Sequence, residues 1–181
     1  MPVILYPQNN FKKMDDSKMI SQPAVGMMTK IGAIFLALWG ILHVWVGYEG
    51  IHQYLSSDVK GMWEMLTGGS NAPHNLVQHT TDALTANAQK QLLLNFCIDV
   101  GGYGVLGLML AWIIYRKGSW MAYMIAVVAI GICDLAFLFS LVTAGIIEYS
   151  LASISGPVIW FLAVVLIPFG LPKKNSENLT L

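Results

Sequence analysis

Residues 31–48 read IGAIFLALWGILHVWVGY, 18 positions between Lys30 and Glu49 without an Asp, Glu, Lys or Arg. A charge at mid-bilayer is costly, and a helix needs about 20 mostly apolar residues to cross the hydrocarbon, so this run predicts a membrane-spanning helix. Three more intervals follow the same rule. Between Lys90 and Arg116 lie 25 residues interrupted by Asp99, between Lys117 and Glu148 lie 30 interrupted by Asp134, and between Glu148 and Lys173 lie 24. The spacing predicts helices over residues 28–49, 92–115, 119–146 and 154–171, an all-α integral membrane four-helix bundle.

Composition agrees. Of the 181 residues, 56% are hydrophobic and 11% charged, under half the charge of an ordinary soluble domain. Ten Lys and Arg balance ten Asp and Glu, so no basic field exists to attract nucleic acid. Cys97 and Cys133 are too few for a disulfide scaffold or a cysteine-based metal cluster. The lipid bilayer is the first partner the sequence implies, with other membrane subunits or further copies of the chain as candidates beside it.

Basic residues set the expected orientation, because short cytoplasmic segments collect Lys and Arg. Lys12, Lys13, Lys18 and Lys30 precede the first helix, Arg116 and Lys117 occupy the turn after the second, and Lys173 and Lys174 follow the fourth. The other side holds Lys60 and Lys90 among Glu49, Asp58, Glu64, Asp82 and Glu148. Both termini are therefore expected in the cytoplasm. The chain divides into a cytoplasmic arm over 1–27, a transmembrane domain over 28–172 with an external loop over 50–91, and a tail over 173–181. Within the loop, 58–66 (DVKGMWEML) predicts a short surface helix, and Thr81 or Asp82 can cap a helix that runs into the second span.

Polar residues inside the spans are the candidates for chemistry. Gly40, His43, Gly47 and Gly50 form one stripe on the first helix, which places His43 against protein. Asn95, Asp99 and Gly102 share a face of the second helix, and Gly131, Asp134, Leu138 and Gly145 a face of the third. Both carboxyls are expected inside the bundle, since lipid offers them no partners. With 1.5 Å of rise per residue, His43 lies ~8 Å below the outer boundary, Asp99 ~10 Å and Asp134 ~20 Å. His43 and Asp99 are thus expected to meet, with Asp134 deeper and separate. By the same count Cys97 and Cys133 lie ~8 and ~21 Å down, too far apart for a disulfide.

The external segment adds Glu49, His52, His74, His79 and Asp82, which with His43 make a candidate metal-binding set. Glu49 and His52 form one Glu-x-x-His, but the carboxylate-bridged di-iron pattern needs two. Residues 102–107 spell G-x-G-x-x-G inside an apolar helix, where no strand precedes it, so the glycines serve helix packing rather than a dinucleotide.

ALWGILHVWVG in the first helix, DVGGYGVLGLML in the second, Trp120, Ala122 and Tyr123 opening the third, and GPVIW in the fourth resemble small four-helix bacterial membrane proteins of the DoxX-like kind. That resemblance implies a four-helix bundle in the inner membrane of a bacterium or archaeon, with thiosulfate or quinone redox chemistry in some members. The cysteine signature of DoxX-type proteins is not evident here, so it assigns no catalytic residue. Three classes fit the sequence: an accessory, non-catalytic subunit of a larger membrane complex; a redox enzyme with a metal ion or quinone at an outward-facing His/Asp site; and proton-coupled transport, which the absence of internal repeats weakens.

The orientation has a direct test. A cysteine replacing Ser70 is expected to react with a membrane-impermeant maleimide in intact cells, and labelling only after permeabilisation would invert the topology.

Overall fold

The computed structural model describes residues 24–56, 82–147 and 149–172. The arm through residue 23, the segment 58–66, His74, His79 and the tail from 173 lie outside the described residues. Four helices are each long and apolar enough to cross a membrane. Helix α1 is Met27–Leu55 and α2 is Ala83–Lys117. Helix α3, Trp120–Val142, alternates α-helical stretches with two wider π-helical ones, Ala126–Ile130 and Leu138–Val142. Helix α4, Leu151–Leu166, tightens into a 3-10 turn at Ile167–Gly170.

Local chemistry fixes the ends. The Asp82 carboxylate accepts from the Thr85 N–H at 2.8 Å and starts α2. Hydrogen bonds from the Thr85 hydroxyl and then from its backbone N–H hold this carboxyl below the ordinary range. Gly118 ends the helix at φ 57°, in the left-handed region, where its N–H reaches the Ile114 carbonyl at 2.9 Å. A side chain there would also strike Pro172, 2.6 Å from the Cβ position. Ser119 then caps α3, and Ser150 with Ser153 forms a capping box on α4.

Three boundaries differ from the charge-derived ones by four residues or more. Helix α1 continues from 49 to Leu55, with Gln53 donating to Glu49 at 3.0 Å. A charge that interrupts the apolar run does not end the helix. Glu49 and His52 accordingly stand on α1 rather than in a loop. Helix α2 begins at Ala83, because the Asp82 cap starts a helix that continues into the span. Helix α3 stops at Val142, followed by a turn in which Gly145 adopts φ 73°.

Helix α1 is the centre of the bundle, lying along α2 on one side and α4 on another. Small residues set the first distance. A methyl on Gly47 would lie 2.6 Å from the Gly101 Cα, and one on Gly40 2.8 Å from the Gly104 carbonyl oxygen. Toward α4, Gly32 accepts the Ile167 side chain, and the Thr29 hydroxyl donates to the Ile167 carbonyl at 2.6 Å. Leu36, Trp39, Ile114, Ile130 and Ile167 fill the interior. Ile34, Trp45, Trp112, Ile132, Phe139 and Phe161 point outward on all four helices, a surface suited to hydrocarbon. Cys97 and Cys133 are free thiols.

The α1/α2 contact predicts a contrast between neighbouring glycines. Gly47→Ala should lower stability by about 1–3 kcal/mol through overpacking, since only backbone opposes it. Gly102→Ala, which meets nothing within 4 Å, should be neutral or slightly stabilising. Thermal unfolding of both variants in detergent checks this.

Candidate functional site

The polar centre of the bundle is Trp39, His43 and Asp134. Trp39 and His43 are four residues apart on α1, so their rings share a face, stacked with centroids 3.8 Å apart at 25°. Asp134 projects from the α-helical stretch of α3 between its two π-helical ones. The Trp39 indole N–H donates to Asp134 Oδ2 at 2.9 Å, and His43 Nε2 lies 3.8 Å from Oδ1. Helix α4 closes the site with a bare backbone: a methyl on Gly156 would be 3.1 Å from His43 Cε1.

Expected and observed partners differ here. His43 faces Asp134, not Asp99, and Asp134 is neither deeper nor separate. Measured from the Gly118 end, His43 lies sixteen residues past Met27 and Asp134 fourteen past Trp120, heights of ~24 and ~21 Å. Measured from the opposite end, as the charges suggested, the count fails because α1 overshoots its charge boundary and α3 falls short.

Asp99 is excluded by direction rather than height. It sits two residues from buried Cys97 and from Gly101, which faces α1, hence about 200° around α2 from each. Its carboxylate instead accepts from Asn95 on the exposed face at 2.8 Å. Within GGYG, Gly101 and Gly104 face α1, whereas Gly102 faces outward, so the face shared by Asn95, Asp99 and Gly102 is the outer one.

Hydrogen bonding fixes the proton inventory of the centre. His43 Nδ1 lies 2.8 Å from the Trp39 carbonyl oxygen, which can only accept, so Nδ1 carries a hydrogen. In neutral His43 the bare nitrogen is then Nε2, the one turned to Asp134. A lone pair opposing an ionised carboxylate is repulsive, so the stable arrangement holds one proton between the two side chains. It sits on the carboxyl or on the imidazole, and the pair is neutral either way. Access is unequal: the Asp134 side chain is 4% exposed and that of His43 20%.

The remaining candidates stand apart. Glu49 bonds Gln53, and His52 stacks on Tyr48 with ring centroids 6.3 Å apart. Asp82 caps α2. Among the described residues no three His, Cys, Asp or Glu gather as a metal-binding group. Sequence reasoning missed Trp39 and Gly156. The signal for Trp39 was present, since an indole four residues before an inward His must lie on the same stripe. Nothing in the sequence marks Gly156 as the neighbour of His43.

Comparison with protein-family models, curated proteins and solved structures finds no match to this chain.

The centre predicts an ordered set of stabilities. Trp39→Phe should cost about 1–3 kcal/mol by leaving the buried carboxyl short of a donor, and Asp134→Leu a similar amount by orphaning the indole N–H. Asp134→Asn keeps an acceptor for Trp39 and should fold. Asp99→Asn, on the outer face, should stay within about 0.5 kcal/mol of the parent. Equilibrium unfolding of the four variants measures the order.

Proposed function

We propose that this chain is a multi-pass membrane protein, a small accessory subunit of a larger complex, whose chemical contribution is a proton held between His43 and Asp134 inside the bundle. One observation carries it: Asp134 is sealed while the His43 beside it keeps an open edge. A carboxyl in hydrocarbon is costly, and two groups that share one proton can pass it without creating net charge. The pinned Nδ1 makes Nε2 the exchanging atom. By a small ring movement the shared proton passes between Oδ1 and Nε2, converting carboxylic acid and neutral imidazole into carboxylate and imidazolium and back, with His43, the more exposed partner, as the side on which it exchanges with the surroundings. The 3.8 Å gap exceeds a direct hydrogen bond, so transfer needs that movement.

The DoxX-like motifs support a four-helix membrane unit and contribute no residue role. Orientation with both termini in the cytoplasm, inferred from the Lys and Arg distribution, would place the pair in the half of the bilayer away from the cytoplasm.

Infrared spectroscopy of the purified protein tests the proposal. A buried carboxyl or carboxylate band is expected that disappears in Asp134→Asn. Its deuterium exchange or pH response should slow in His43→Phe while the fold persists. A band that exchanges at the parent rate in His43→Phe would sink the role of His43 as the proton's port.

A further inference from the structure

The end of the bundle at Gly118 carries a second arrangement that the buried pair does not use. Lys30 on α1 places its Nζ 5.7 Å from the centroid of the Tyr115 ring on α2, and Arg116 places its guanidinium carbon 5.3 Å from that of Trp112. Residues 112, 115 and 116 fall within about 100° of one another around α2, so both rings and the guanidinium occupy one face. All four side chains are exposed, Trp112 to 65% and Tyr115 to 40%. Among the described residues the acids are Glu49, Asp82, Asp99 and Asp134, and the nearest in height, Asp134, stands ~21 Å above the start of α3. Among the described residues these two cations therefore face no carboxylate at their own level.

We propose that Lys30 and Arg116, held over Tyr115 and Trp112, seat the phosphodiester headgroup of an anionic phospholipid against the α1/α2 face. The rings pre-order the cations, so less side-chain freedom is lost when a phosphate arrives. A guanidinium offers a planar fork to two phosphate oxygens, and an ammonium adds a point charge. Trp112 and Tyr115 belong at the level where acyl chains meet headgroups, which brings a lipid phosphate into reach. A net-negative headgroup is favoured over a zwitterionic one because two positive charges stand here and no acid among the described residues lies at their level.

The test uses the purified full-length chain in detergent with phosphatidylglycerol, phosphatidylcholine or inorganic phosphate, read by native mass spectrometry and thermal unfolding. Phosphatidylglycerol should stay bound through delipidation and raise the unfolding temperature. Phosphatidylcholine and free phosphate should do neither, and high salt should strip the bound lipid from the parent. The double variant K30Q/R116Q should lose retained phosphatidylglycerol while unfolding at the parental temperature in phosphatidylcholine. Equal retention by parent and variant, or retention by the parent that salt leaves unchanged, overturns the seat. A matching shift with inorganic phosphate would make it a free-anion site instead. Should the double variant not fold, the salt response and lipid selectivity of the parent decide alone.

Discussion

The Trp39 indole is the contact on which the interior depends. One ring face and edge lie where Gly107 leaves room, since a methyl at Gly107 would be 2.9 Å from the indole carbons. The ring also stacks on His43, its N–H is taken by Asp134, and its backbone carbonyl holds His43 Nδ1. Helices α1, α2 and α3 therefore converge on one residue. An indole can be fully buried only if its N–H finds an acceptor, and a carboxyl only if it finds donors. Trp39 and Asp134 meet both conditions for each other, and they link α1 to a helix that it otherwise scarcely touches.

Similar polar ties occur away from the centre. The Trp160 N–H donates to the Ala126 carbonyl at 3.1 Å, and Gly131 makes room for the Trp160 ring. Tyr123 donates to Val164 at 3.2 Å and Trp120 to Pro172 at 2.9 Å, both from α3 to the α4 strand of chain. Where burial of apolar surface gives no preference for protein over lipid, such hydrogen bonds and the close backbone approach at Gly40 and Gly47 select the neighbours. Helix α3 is thus held to α4 mainly by side-chain donors reaching main-chain carbonyls, whereas α1 and α2 are held by the absence of side chains.

Four spans and the inward glycine stripe of α1 were legible because both follow from one-dimensional quantities, the distance between charges and the period of the helix. Pairing across helices was not. It needs a common origin of height and the rotation of each helix, and charges supply neither reliably. Glu49 lies within α1 rather than at its end, which displaced the origin for His43 by six residues. On α2 the adjacent glycines 101 and 102 offer two registers about 100° apart, and only the packing of Gly47 on Gly101 distinguishes them. The register set by Gly102 turns Asp99 inward and Asn95 with it, whereas the one set by Gly101 turns both outward. Of the candidate metal set, the described members Glu49, His52 and Asp82 each serve a local helical purpose, with partners four or fewer residues away, while His74 and His79 lie outside the described residues.

Helix α3 carried a signal of its own that pointed to Asp134. Ala122, Ala126, Ile130, Asp134 and Val142 are buried, all on a strict four-residue interval with half-buried Leu138 completing it. In a regular α-helix each step of four advances the face by about 40°, so Val142 would end about 200° from Ala122 and the stripe would wind off the core. The two π-helical stretches remove this drift, because hydrogen bonds from i to i+5 take more residues per turn. They keep one stripe inward along the span and deliver Asp134 to Trp39 and His43. The Trp160 donor at Ala126 stands where the first widening begins, so α4 is placed to stabilise the very distortion that aims the carboxyl. The acid's position is therefore a property of α3 and α4 together, which no periodicity measured on α3 at 3.6 residues per turn could have revealed.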